Sequence, residues 1–158
     1  LLDATFGTDL ARGARASASN VRGADSRFAA ANVLDGKRDT YWVTDDAVTT
    51  PELVLDLGRA VTFNVVSLRE DLPLGQRVED WALDRWSDGA WREFARGTAI
   101  GSRHLWRGGD VTTERVRLRI TKAPASPAIS ELALHREPPE ARVRASAGLR
   151  SRLPPKTD

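Results

Sequence analysis

The sequence predicts an all-β fold, an antiparallel β-sandwich of the jelly-roll type, and three observations carry that expectation. Between Glu114 and Ile120, Val116, Leu118 and Ile120 alternate with Arg115, Arg117 and Arg119, the period of two that gives a strand one buried and one wet face. Leu53, Leu55 and Leu57 repeat the pattern within Glu52–Leu57. The run Trp86-Ser87-Asp88-Gly89-Ala90-Trp91 sets Asp-Gly between two aromatic-bearing segments, a strong hairpin signal because both residues tolerate the left-handed backbone of a tight turn.

Taken in order, the chain divides into a lead-in over 1–11 from a preceding domain, a sandwich over 12–137 and a tail over 138–158. The segment Phe28–Leu34 reads as helical, long enough for only a turn or two. Glu52–Leu57 is a strand, and Phe63 and Val65 begin another that continues through Val66 and Leu68. Trp81, Leu83 and Arg85 alternate with Ala82, Asp84 and Trp86, and the strand holding Trp91 and Phe94 returns from the turn. Ile129–His135 reads as the last strand. A jelly roll closes with its terminal strands near each other, which predicts Ile129–His135 beside Ala14–Asn20. Trp42, Trp81, Trp86 and Trp91 lie on strands and are expected in the core. Strands with frequent turns and no alternating helices argue against a parallel sheet. Pro138-Pro139 and Pro154-Pro155 bracket a polar, Arg-rich stretch with few large apolar residues, expected to be disordered.

Composition narrows the function classes. At 158 residues, 41% hydrophobic and 29% charged, the chain can bury one substantial core. No run approaches the roughly 18 apolar residues of a membrane helix, and Leu1–Thr5 lacks the basic flank and apolar run of a signal peptide. The absence of Met predicts a piece of a longer protein. Zero Cys excludes disulfides, thiolate metal sites and Cys nucleophiles. The pI near 9.5 invites a nucleic-acid reading, but residues 1–137 carry 19 basic against 20 acidic side chains. The basic excess sits in the tail rather than on a folded face that would meet phosphate, which argues against nucleic acid.

Catalytic constellations are sparse. There are two His, His104 and His135, with no Gly-x-Ser-x-Gly, phosphate loop or His-Glu-x-x-His. More informative is 31–42, Ala-Asn-Val-Leu-Asp-Gly-Lys-Arg-Asp-Thr-Tyr-Trp. Such a loop can fold carbonyls and the Asp35 carboxylate around one point, as a hard cation such as Ca²⁺ requires. It can equally be a tight turn in which Asp35 accepts from nearby N–H groups.

The motifs Asn-Val-Leu-Asp-Gly-x-x-x-Thr-Tyr-Trp (32–42), Pro-Glu-Leu-Val-Leu-Asp-Leu-Gly (51–58), Phe-Asn-Val-Val-Ser-Leu-Arg-Glu (63–70) and Trp-Ser-Asp-Gly-Ala-Trp (86–91) together resemble the discoidin, or coagulation factor V/VIII type C, domain. This group of galactose-binding-domain-like sandwiches includes the family 32 carbohydrate-binding modules. The segments 68–78, 91–98 and 127–132 are similar to the C-terminal module of bacterial α-L-fucosidases, retaining enzymes whose catalytic barrel precedes it. The resemblance implies a structural Ca²⁺ held by Asn32, Asp35, Lys37 (through its carbonyl), Thr40 and Glu131. It also implies a sugar site at one end of the sandwich, with Arg69, Glu70, Gln76 and Arg77 on one loop and Trp106 as the aromatic platform. A planar guanidinium offers paired donors to adjacent hydroxyls, and a carboxylate or amide accepts from them. The implied setting is extracellular or periplasmic.

Three functions without catalysis by this chain follow. The module binds glycans, fucosylated or galactose-containing, for an attached fucosidase. Alternatively it packs on the catalytic domain through 68–78. As a third possibility it is a protein-binding adhesion module, which would want apolar loop tips, whereas the Asp45-Asp46 loop is acidic.

Overall fold

The computed structural model describes residues 7–138. Seven strands, β1 (Arg15–Ala18), β2 (Trp42–Val43), β3 (Glu52–Glu70), β4 (Asp80–Ser87), β5 (Ala90–Gly97), β6 (His104–Lys122) and β7 (Ala128–His135), pair antiparallel throughout. The expected all-β sandwich is the observed fold. Its two layers share β3 and β6, which are 19 residues each and register-shifted between Asp56 and Val61. Below the shift, β3 pairs with β1 and with the 115–119 half of β6, which continues to β4 and β5. Above it, residues 65–70 of β3 pair with β7, and β2 adds at Ile129. The inward faces form one core, with Leu53, Leu55, Val116 and Leu118 from one layer and Leu68, Leu132 and Leu134 from the other, all fully buried. Trp42 and Trp81 fill the same core, at 0% and 1% exposure.

Several expectations change. Leu53–Leu57 and Phe63–Leu68 are one bent strand rather than two, because a bulge carries the chain from layer to layer without ending the ladder. The helix expected over Phe28–Leu34 is two 3₁₀ turns, Ser26–Phe28 and Ala30–Leu34, broken at extended Ala29. Asp25 caps the first by accepting from Arg27 N at 2.9 Å. The strand expected beside β7 lies elsewhere, since β1 pairs with β3 from Arg15↔Asp56 to Ala18↔Leu53. The N-terminal neighbour of β7 is instead 7–11, where Leu10 N donates to Leu134 O at 2.7 Å and Asp9 accepts from Leu134 N. The lead-in expected over 1–11 therefore joins the sandwich from Gly7 onward, while 1–6 and the tail beyond Pro138 lie outside the described residues.

Trp86 and Trp91 depart from the core expectation. They are half-buried, face each other across the hairpin edge-on at 5.2 Å, and are covered by Arg115 and Arg117 on the outer surface. The turn beneath them has φ of 51° at Asp88 and 74° at Gly89, the left-handed pair that a two-residue hairpin demands. The Arg face of β6 is likewise less wet than alternation implies. Asp84 is 1% exposed and accepts from Arg117 Nε at 2.7 Å and from Arg119 Nε and Nη2 at 2.7 and 2.9 Å. Burial pushes the Asp84 carboxyl up, but the hydrogen bonds and charges of Arg119 and Arg117 outweigh it and hold the group below its ordinary value.

Candidate functional site

One rim of the sandwich collects the ends of β3 and β6 and the starts of β4 and β7. Its geometry depends on Glu70, the last residue of β3, which is 2% exposed. Its Oε1 accepts from Arg77 N and Val78 N, and its Oε2 from Gly101 N, all at 2.9 Å. Asp71 N adds a bond to Ala128 O. The 71–79 loop is thereby clamped to the 98–103 turn, and the 3₁₀ turn Leu72–Leu74 stands out from the rim. Leu72 and Leu74, at 42% and 36% exposure, are the exposed large hydrophobics among the described residues.

A cleft opens on each side of this turn. The larger, about 600 Å³, is lined by Arg38, Asp39, Arg69, Asp71, Leu72 and Arg103, among others. Arg69 Nε and Arg103 Nε are both shielded from solvent and have no hydrogen-bond partner, although Arg103 Nη2 lies 3.9 Å from Glu131. An unpartnered donor on a charged group is costly, and the two side chains that carry these donors both line the cleft. Burial raises the pKa of Asp71 on the same wall. The smaller cleft, about 310 Å³, is lined by Arg22, Phe28, Tyr41, Val43, Asp46, Leu74 and Arg77.

The structure thus brings together only some of the residues expected in one site. Arg69 lines the larger cleft and Arg77 the smaller, where Arg77 Nη1 donates to Ser126 O at 2.8 Å. Glu70 lines the larger cleft beside Arg69, but its carboxylate is committed to three backbone donors. Gln76 is exposed and lies over Gly101. Trp106 lines neither cleft. It packs edge-on to Phe94 at 5.2 Å and lies across the backbone of Gly108, where an added Cβ would fall 2.1 Å from its ring. Arg103, Arg38 and Asp71 carried no sequence signal. Tyr41 did, because alternation through 41–43 turns it away from the core that Trp42 fills.

In the 32–40 loop, Asp35 accepts from Lys37 N at 2.9 Å and from the Thr40 hydroxyl. Asn32 Nδ2 donates to Arg27 O and Tyr41 O at 2.8 and 3.0 Å. Glu131 accepts from Ser67 Oγ at 2.8 Å. Among the described residues no group of three His, Cys, Asp or Glu converges to hold a metal. The donors that do converge, the Asp35 carboxylate and Thr40 hydroxyl, are hard oxygens of the type Ca²⁺ takes.

Comparison with known proteins gives this geometry a family. The model of the F5/8 type C domain matches residues 14–133. A rice protein (Oryza sativa subsp. japonica) described as putative alpha-L-fucosidase 1 is 34% identical over 127 residues, covering 79% of this chain and 25% of its own length. Alpha-L-fucosidase 1 of Arabidopsis thaliana is 34% identical over 134 residues, 82% of this chain and 26% of its own. The solved structure of a fucosidase from Ruminococcus gnavus in complex with fucose superposes with a TM-score of 0.81 at 30% identity, over 89% of this chain and 29% of that one. The chain therefore spans about a quarter of the length of the curated relatives it matches.

Proposed function

Because the chain belongs to the F5/8 type C domain family, a non-catalytic module here associated with fucosidase relatives, we propose that it serves a longer fucosidase by binding glycan in the Arg69 cleft. The observation that carries the proposal is that two guanidinium groups, Arg69 and Arg103, line one cleft, each with an Nε that no protein group satisfies. Adjacent sugar hydroxyls accept from a planar guanidinium fork, the Asp71 carboxyl can exchange a hydrogen bond with a third, and Leu72 offers an apolar edge to a sugar ring. Fucosylated and galactose-containing oligosaccharides are the ligand class. Calorimetric titration of the chain with such oligosaccharides should give measurable binding that Arg69→Ala weakens about tenfold or more, the loss of one charge-assisted bond. Affinity surviving in both Arg69→Ala and Arg103→Ala would remove the cleft from consideration.

A Ca²⁺ site in the 32–40 loop forms the second part of the proposal. Asp35 and Thr40 would contribute side-chain oxygens, Lys37 its carbonyl, and Asn32 and Glu131 would complete the set after exchanging their present partners. A bound ion would stiffen the loop that carries Arg38 and Asp39 to the cleft. At a hundredfold excess over Kd, binding stabilises the fold by about 2.7 kcal/mol. Melting in calcium should therefore exceed melting in chelator, and Asp35→Ala should abolish the difference. Identical melting curves for the parent chain in both conditions would exclude the ion.

The exposed Leu72 and Leu74 favour a second reading, in which the turn seats on a catalytic or other protein domain. A protein-binding module wants apolar loop tips; the Asp45-Asp46 loop is acidic, whereas the 72–74 turn presents two exposed leucines.

A further inference from the structure

The geometry points to a second saccharide subsite in the smaller cleft, selective for a sugar unit bearing a carboxylate, and independent of the Arg69 cleft. Two guanidinium groups converge there on one buried hydroxyl. Arg22 Nη2 donates to Ser126 Oγ at 2.9 Å and Arg77 Nη1 lies 3.3 Å from the same oxygen, while Ser126 itself is 2% exposed. Arg77 Nη1 also holds Ser126 O at 2.8 Å. The loop carrying Arg22 is fastened separately, because Asp45 accepts from Gly23 N at 2.8 Å and Asn20 Nδ2 at 3.0 Å, and Asn20 Oδ1 accepts from Asp45 N. Both guanidinium groups are thus fixed before any ligand arrives, which reduces the ordering cost of binding.

The present partner of Arg22 indicates the missing ligand's chemistry. Asp46 Oδ1 lies 2.7 Å from Arg22 Nη2, yet the Asp46 side chain is 90% exposed. An ion pair in that much water contributes little, so the carboxylate can swing into solvent and leave its place on Arg22 to a ligand carboxylate. The charged lining is two Arg against one Asp, and displacing Asp46 leaves both cations to the ligand. Charge-assisted, paired contacts of this type are the strong ones. The rest of the wall suits a sugar ring. Phe28 and Tyr41 stack at 5.7 Å with 29° between their planes, an apolar pair in the same lining as the two cations, to which Leu74 adds. About 310 Å³ is at the small end of ligand clefts and matches one sugar unit of a longer chain.

The test is calorimetric titration of the chain with the trimer of galacturonic acid, beside neutral galactotriose and inorganic sulfate. The acidic trimer should bind more tightly than the neutral one and weaken with added salt. Arg22→Ala and Arg77→Ala should each lower its affinity about tenfold or more, and Tyr41→Ala should lower it too. Asp46→Ala should raise affinity several-fold, a gain that a misfolded variant could not produce. Equal affinity for the neutral trimer, unchanged affinity in Arg22→Ala, no gain in Asp46→Ala, or sulfate binding as tightly as the trimer would each overturn the subsite. Loss of acidic binding in Arg69→Ala but not in Arg22→Ala would move the acid to the other cleft and overturn it as well.

Discussion

Replacing Glu70 with Ala is expected to cost the domain about 3–5 kcal/mol, because two buried backbone donors and one half-buried donor lose their acceptor together, at about 1–3 kcal/mol for each buried one. The three N–H groups of Arg77, Val78 and Gly101 all donate to this one carboxylate. Against a total stability of about 5–15 kcal/mol this is a large fraction, and a fall in Tm of about 10 °C follows. Glu70→Gln should recover only part of the loss, since an amide places its own N–H groups against one of the backbone donors. The effect is local before it is global. Hydrogen exchange at Val78 and Gly101 should accelerate ahead of the amides of β6, and both clefts should lose ligand affinity because the Leu72–Leu74 turn divides them. A Tm within 2 °C of the parent would show that the clamp is dispensable.

Asp84→Asn is expected to be the second costly change. Asp84 is 2% exposed by side chain and accepts from Arg117 and Arg119, whose side chains are 19% and 27% exposed. Removing one partner from a buried ion pair costs about 3–5 kcal/mol. Here the two guanidinium groups keep some solvent and Arg119 retains Glu93 at 3.1 Å, so about 2–3 kcal/mol is expected. The pH dependence distinguishes this from simple misfit. The folded-state pKa of Asp84 lies below its unfolded value, so its contribution is complete above about pH 4 and disappears as pH falls through the folded value. The gap in Tm between parent and Asp84→Asn should be constant from pH 7 to about 5 and close below pH 4. A gap that persists at pH 2 would show that shape, not charge, determines the loss.

Much of the fold was legible because burial writes itself into alternation. Leu53, Leu55 and Leu57, and Val116, Leu118 and Ile120, are fixed on one face by the two-residue period alone, and Asp88-Gly89 names its own turn. The errors share a cause. Trp86 and Trp91 alternate as core residues do, but they occupy an edge hairpin where Arg115 and Arg117 serve as their cover. Jelly-roll closure puts Ala14–Asn20 beside the last strand, but the turn at 10–13 sends this chain to the other layer, where β1 pairs with β3.

The site was legible only as a region. The motif around 68–78 marks the rim, yet Glu70 and Arg69 are adjacent in sequence and opposite in role. Both border the larger cleft, but the Glu70 carboxylate is committed to a ring of backbone donors while the Arg69 Nε has no protein partner, and a bulge lies between their positions on β7.

The sequence by itself determined which residues are apolar at which period, and so the sandwich, its core and the rim that its loops would occupy. Only the tertiary structure decided that Arg69 meets Arg103 across one cleft and that Arg22 meets Arg77 over Ser126 across another. The physical reason is range. Alternation is a property of neighbours on one strand, whereas a binding site is an agreement among loops separated by as many as 104 residues, and no local pattern records which of them the closed sandwich brings together.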